Sequence, residues 1–300
     1  MPTYTDPPTA ADANPIERVL SRIRTKSADL PTPEEVEGFR LAQKLSFSCA
    51  QAVAAEMRPG WTEGQTQDWM TSYLHDHGVR TSLHKPIVGF GPRSLAPDAE
   101  WFPAKGAGLT LEDNDVAIID CAPIVNGYAG DVAYTIQVGD VPELTEAMDF
   151  LSDLRNRIPG QFTLPETAAT IFEWVTGEME GAGYQNAVNG YHGHILGHRV
   201  YRHRPASANF RHYLPTVPFG YKASWHSPGF LLKSIRRALM PELLGPFHTG
   251  PKTGVWAIEP HLRVGTKYGV KFEELLVVED GYAYWLDDTS QKRIVITAGN

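Results

Sequence analysis

Three hundred residues, 42% of them hydrophobic, can bury a full core as one large domain or two smaller ones. A net charge of −8, from 27 basic and 35 acidic side chains, carries no global signature of nucleic-acid binding, and two cysteines are too few for a disulfide framework or a thiolate zinc site. No stretch approaches the roughly eighteen apolar residues of a membrane span, and the opening MPTYTDPPTAADANP lacks the charged and apolar regions of a signal peptide, so the expected compartment is cytoplasmic with no membrane partner.

Residues 1–31 read as a Pro-rich lead with one short helix, started by Asn14-Pro15 and carrying Ile16, Val19, Leu20 and Ile23 on one stripe. That helix needs a surface to dock on, its own domain's or a second copy's, which admits a homodimer. From residue 32 the pattern is that of a folded domain. Thr32 caps a helix with Pro33 in its first turn and Glu35 completing a capping box, and Arg58-Pro59-Gly60 stops it. Thr62 and Gln65 cap a second helix that ends near His77-Gly78, and PIVGF follows as a strand.

The next segment, VAIIDCAPIVNGYAGDVAYTIQV, is two β-rich runs around the turn dipeptide Asn126-Gly127. With that pair as the loop, Val125 faces Tyr128, Ala122 faces Asp131 and Asp120 faces Ala133. Asp120 and Asp131 therefore project from one face as diagonal neighbours, roughly 7–8 Å apart at the backbone, close enough to share a metal pair. Asp120 also ends an apolar run, where an unpaired carboxylate is costly to desolvate. Two helices follow, VPELTEAMDFLSDLRNRI and PETAATIFEWVTGEMEGAG, each closed by Pro or Gly. NGYHGHILGHRVYRHRP then carries His192, His194, His198 and His203. Glu259 ends the apolar strand of VWAIEPHL, and Glu273 and Glu274 begin that of KFEELLVVEDG, where alternation sends them to opposite faces and leaves open which one points inward.

Asp, Asp, His, Glu, Glu in that order, each on or beside an apolar strand, is an oxygen-rich set with one imidazole. It suits two hard or borderline divalent cations such as manganese, cobalt or iron, and accommodates zinc. Charge is also unevenly spread. Between Arg199 and Ile258 nine basic residues face one acidic residue, a net +8 that leaves −16 for the rest of the chain. Such a segment is either a solvated face or a wall that attracts an anionic ligand.

At this point the sequence resembles the pita-bread metallopeptidases, the methionine aminopeptidase, aminopeptidase P and prolidase family, over roughly residues 33–298. The resemblance rests on the helix leading into RPGWTE, the PIVGFGP strand, DCAPIVNGYAGD, GHILG, AIEPHL and KFEELLVVEDG, in that order. It implies that Asp120 chelates one metal, that Asp131 and Glu273 bridge both, and that His194 and Glu259 complete the second. His194 is aligned to the motif by Gly193 and Gly197, with His198 as the alternative, and Glu273 is preferred to Glu274 by the same alignment. A metal-bridging water would be the nucleophile and Glu259 the proton shuttle.

The pattern also departs from the family. Its substrate-binding histidine before the first aspartate has no counterpart between Lys85 and Tyr191, leaving Asp98 as a candidate in its place, and a second family histidine is replaced by Tyr201, with His203 nearby. The stretch from His194 to Glu259 is longer than usual, and the basic, aromatic insertion at residues 199–255 would be either inert or a lid, with Arg202, Arg204 and Arg211 as candidate substrate contacts. The expectation is therefore a single α+β domain of the pita-bread (creatinase/aminopeptidase) fold over residues 32–300, a curved antiparallel sheet flanked by helices, acting as a dinuclear metal hydrolase of the aminopeptidase type on a short-peptide or small-molecule, anionic substrate. A separate N-terminal domain of the prolidase kind is not expected. The alternative is a non-peptidase enzyme on the same fold that cleaves a C–N or C–O bond in a small anionic metabolite, and a metal-free binding module is a further rival.

Overall fold

A computed structural model describes residues 30–95, 108–187, 195–202, 242–246, 248, 250–287 and the backbone of 294–296. The short helix expected near residues 15–23, and most of the basic insertion, lie outside these residues. Helix α1 (Pro33–Glu56) and helix α2 (Glu63–Asp76) open the domain, each with a complete capping box, Thr32 with Glu35 and Thr62 with Gln65. Strands β1 (Thr81–Ser82) and β2 (Ile87–Phe90) and a 3₁₀ turn at Gly91–Leu95 follow. Then come β3 (Val116–Cys121), β4 (Pro123–Val125), β5 (Tyr128–Ala129) and β6 (Val132–Val138), helices α3 (Pro142–Thr163) and α4 (Ala168–Gly181), and β7 (Gln185–Asn186). The remaining strands are β8 (Gly197–Val200), β9 (Leu243–Leu244), β10 (Gly254–Ile258), β11 (His261–Val264), β12 (Tyr268–Glu279), β13 (Tyr282–Trp285) and β14 (Ile294–Ile296).

The large sheet runs β2-β3-β6-β12-β10-β8-β9, antiparallel throughout this path, with β12 as its spine. Helices α1 and α2 bury Ala50, Val53, Met70 and Leu74 against Ile119, Tyr134 and Ile136, and α3 and α4 bury Leu151, Leu154, Ile171 and Val175 against Trp256, Ile258, Phe272 and Leu276. By the two-residue alternation of the strands, these contacts lie on the face opposite to the one that carries Asp120 and Glu273, while the first half of α1 packs Val36, Phe39 and Ala42 against Leu275 and Val277 on the other face. The result is the curved, helix-flanked sheet of the pita-bread fold.

One boundary departs from the sequence reading. Helix α3 does not stop at Pro159 but continues to Thr163. Proline has no N–H to give to the carbonyl four residues back. That carbonyl, on Arg155, accepts instead from Trp285 Nε1 at 3.0 Å, so β13 supplies the lost bond and the helix goes on.

Candidate metal centre

The hairpin forms in the expected register. Val125 pairs with Tyr128 and Asp120 with Ala133, and the turn places Asn126 at φ 52° and Gly127 at φ 87°, left-handed values that this dipeptide tolerates. Ala133 pairs on its other side with Glu273, so Asp120, Ala133 and Glu273 form one row across β3, β6 and β12. Asp131, two residues before Ala133, shares that face. Ile258 pairs with Glu274 and His261 with Lys271, and the same register carried through the break between β10 and β11 sets Glu259 opposite Glu273. On the far side of β10, His198 pairs with Ala257 and so shares the face of Glu259. A Cβ at Gly197 would lie 2.0 Å from the Ala257 carbonyl oxygen, so glycine is what lets β8 bring His198 this close.

The side chains converge accordingly. Asp131 turns its two oxygens to different neighbours: Oδ1 lies 3.5 Å from His84 Nε2, and Oδ2 lies 3.3 Å from His198 Nε2. His84 Nε2 is also 3.5 Å from Asp120 Oδ1, and His198 Nε2 is 3.8 Å from Glu273 Oε1. Two three-residue groups follow, His84 with Asp120 and Asp131, and Asp131 with His198 and Glu273, each with donor atoms within 4.8 Å of one another. Lys271 lies among the carboxylates, its Nζ 3.0 Å from Glu273, 3.2 Å from Glu259 and 3.7 Å from Asp120.

These charges act on one another in a nearly dry setting. Burial and the like charge of Glu259 push the Glu273 carboxyl well above the usual carboxylate range. Burial would also raise Asp131, but the hydrogen bonds and charges of His198 and His84 outweigh it and hold that carboxyl well below the ordinary value. Burial lowers His84 and His198, yet the aspartates win and both imidazoles are raised, His84 to about 9. Four carboxylates, two imidazoles and one ammonium thus share a set of protons, and release of those protons would leave an anionic cluster able to take up cations.

Parity alone left Glu273 and Glu274 undecided, and the packing separates them. Glu273 faces the cluster, whereas Glu274 faces α3 and takes a bidentate pair from Arg155, at 2.9 and 2.7 Å. His198 is the histidine found beside Asp131 and Glu273. His194, Asp98, His203, Arg204 and Arg211 lie outside the described residues. Tyr201 turns its hydroxyl to Glu242 at 3.4 Å.

Two members of the cluster escaped the sequence reading. Lys271 had a signal, since it stands two residues before Glu273 and shares its face by alternation. His84 had little: it sits where the edge of the sheet is irregular. Ser82 pairs with Pro123 while Ile87 pairs with Asp120, so five steps on one strand span three on the other, and the slack turns His84 inward.

The basic segment needs one correction. Arg199 is not part of an exposed cationic wall. It is buried and bound to Glu242, with Nε 2.8 Å from the carboxylate, and it stacks 4.2 Å over the Trp256 ring. His248 closes on the same carboxylate, so this cluster holds β8, β9 and β10 together. Arg202, by contrast, is partly exposed, 3.9 Å from Glu34 and 4.9 Å over the Tyr128 ring.

A curved sheet carrying two carboxylate–imidazole groups joined through one aspartate defines a candidate two-cation centre on a pita-bread scaffold. The profile of metallopeptidase family M24 matches residues 37–280, and the chain belongs to that family. It is 28% identical over 121 residues to a methionine aminopeptidase of Clostridium perfringens, which is 40% of this chain and 48% of that protein. It is 22% identical over 257 residues to a putative Xaa-Pro aminopeptidase of Mycoplasma pneumoniae, 85% of this chain and 61% of that protein. The chain thus spans about half the length of the first of these curated relatives and under two thirds of the second. Among solved structures, prolidase from Pyrococcus furiosus superposes with a TM-score of 0.61 at 20% identity, covering 93% of this chain and 69% of that one. The X-Pro aminopeptidase of Thermotoga maritima gives 0.62 at 16%, covering 94% and 66%. At these identities the likeness establishes the fold. No described helix is long and apolar enough to cross a membrane.

Proposed function

We propose that this chain is a metal-dependent hydrolase that holds two divalent cations through Asp120, Asp131, His198, Glu259 and Glu273, and that it acts in the cytoplasm. The observation that carries the reading is the split of Asp131, one oxygen toward each group of donors. The donor set fits. Around a cation with bonds of roughly 2.1 Å, neighbouring ligand atoms stand about 3.0–3.4 Å apart, close to the 3.3–3.8 Å separations in the two groups. Oxygen-rich donors with imidazole favour manganese, cobalt or iron. When bound, such a pair supplies an acidified water and Lewis-acid polarisation of a carbonyl.

The chain's own residues do the rest. Glu259 is the least buried of the four carboxylates and lies opposite Glu273. It is the group to take the proton of the attacking water and return it to the leaving amine. Lys271 keeps Glu259 and Glu273 apart in charge and aligned in position. The relatives named for methionine and Xaa-Pro aminopeptidase activity support a short-peptide substrate. The absence of histidine between Lys85 and Tyr191 favours, as a second reading, C–N or C–O cleavage in a small anionic metabolite. Arg202, with Arg204 and Arg211, is proposed to hold the substrate's negative charge.

Metal analysis of the purified protein followed by a panel of dipeptides, their C-terminal amides and small acids tests this reading. Wild type should carry two cations and Asp131→Ala neither, with activity lost in parallel. Full occupancy in Asp131→Ala would overturn the ligand set. Equal turnover of acids and amides would overturn the role of the arginines.

A further inference from the structure

The ligand set proposed above contains one imidazole, yet the cluster contains two. We propose that His84 is a direct metal ligand, completing with Asp120 and Asp131 the cation position that His198 does not serve. The inference rests on the two-cation reading and goes beyond it, since it changes the donor set of one position from oxygen alone to oxygen and nitrogen.

Three observations carry it. First, His84 Nδ1 lies 2.8 Å from the Lys85 carbonyl oxygen. A carbonyl only accepts, so Nδ1 keeps its hydrogen on Lys85 and Nε2 is the nitrogen turned to the carboxylates; exchange of the Nε2 proton for a metal would give the arrangement in which ligating histidines are usually held. Second, Nε2 is aimed at two carboxylates at once, 3.5 Å from Asp120 Oδ1 and 3.5 Å from Asp131 Oδ1. Both separations exceed the usual span of a strong hydrogen bond. They match the edge of about 3.4 Å between two ligands of a tetrahedral cation with bonds of roughly 2.1 Å. Without a metal, a proton on Nε2 answers the two carboxylate oxygens, and a cation lying between the three atoms would displace it. Third, the two imidazoles stand in equivalent relation to Asp131, His84 beside Oδ1 and His198 beside Oδ2. The irregular edge between β1 and β2 is what delivers His84 to that position: Leu83 N still bonds the Ala122 carbonyl at 2.8 Å, and the extra residues are accommodated immediately after it.

Cobalt(II) serves as the probe. Calorimetric titration of metal-free wild type should give two binding events, and X-ray absorption at the cobalt edge of the loaded protein should count two imidazoles for two metals. In His84→Gln, one event should weaken by at least about tenfold, the loss typical of removing even an outer partner of a ligand, while the other is retained and the imidazole count halves. His198→Gln should weaken the opposite event. Circular dichroism reports the fold of each variant, and if His84→Gln fails to fold, the wild-type imidazole count decides alone. Two unchanged events in folded His84→Gln, or one imidazole for two metals in wild type, would overturn the assignment of His84 and leave the other ligands standing. Wild type that binds no cobalt would overturn the two-cation reading and His84 with it.

Discussion

Glu273 and Glu274 are neighbours on β12 with the same side chain, and they should respond to the same substitution in opposite ways. Glu274 is buried against α3, where both of its oxygens take bonds from Arg155 at 2.9 and 2.7 Å, and the guanidinium lies 4.7 Å over the Trp285 ring. Glu274→Gln removes little volume but takes the Glu274 charge away from the buried Arg155 cation. Loss of one partner of a buried pair costs about 3–5 kcal/mol, and the amide's remaining acceptor argues for the lower end, about 3 kcal/mol. With an unfolding entropy of roughly 2.1 cal/mol/K per residue over 300 residues, the melting temperature should fall by about 5 °C. Cation binding should persist. Glu273→Gln replaces a carboxyl that burial and Glu259 already hold well above the usual carboxylate range, so little charge is lost, and Lys271 keeps Glu259 at 3.2 Å and Asp120 at 3.7 Å. The amide keeps an acceptor for the Lys271 contact at 3.0 Å, so metal-free Glu273→Gln should melt within about 2 °C of wild type while losing at least one bound cation. Differential scanning fluorimetry with chelator, paired with metal analysis, separates the two. A Glu273→Gln protein as destabilised as Glu274→Gln, or a Glu274→Gln protein that melts normally but loses its cations, would refute the assignment of faces.

Glu63→Ala should lower the unfolding free energy by roughly 3 kcal/mol in urea, because the buried carboxylate accepts from Phe90 N at 2.9 Å and Leu109 N at 3.1 Å and pairs with Arg93 at 2.9 Å; a loss under 1 kcal/mol would discount this clamp. Gly127→Ala places a side chain at φ 87° and should cost about 1–2 kcal/mol, read as a lower urea midpoint with an unchanged slope; no cost would mean that the turn adopts another geometry. Burial would raise the Glu242 carboxyl, but the bond from His248 and the Arg199 guanidinium outweigh it and hold it below its ordinary value of 4.5. The stability that it contributes is therefore present above that ordinary value and lost as pH falls through the depressed one. Glu242→Gln should be less stable than wild type at neutral pH and converge with it in acid, and a gap that widens in acid would reverse the sign.

Much of the domain was legible because its signals are local. Two capping boxes, the Asn126-Gly127 turn and the alternation of β3 and β6 depend on residues within a few positions of one another, and these features alone set Asp120 and Asp131 on one face. Order along the chain then brought Glu259 and Glu273 into the same set. Tertiary structure decided what depended on distant partners. Arg155, on a helix more than a hundred residues away, determined which of two adjacent glutamates faces the cluster. Trp285 let helix α3 run through Pro159 by donating its indole N–H to the freed Arg155 carbonyl, and Glu242 withdrew Arg199 from a basic segment that composition alone presented as a surface. A strand pairing at Ala257 set His198, the alternative that the sequence offered to His194, beside Asp131, and His84 reached the cluster through an irregular sheet edge that leaves no spacing to read. Periodicity and capping are written in neighbouring residues, whereas a buried charge is placed by whatever the fold brings against it.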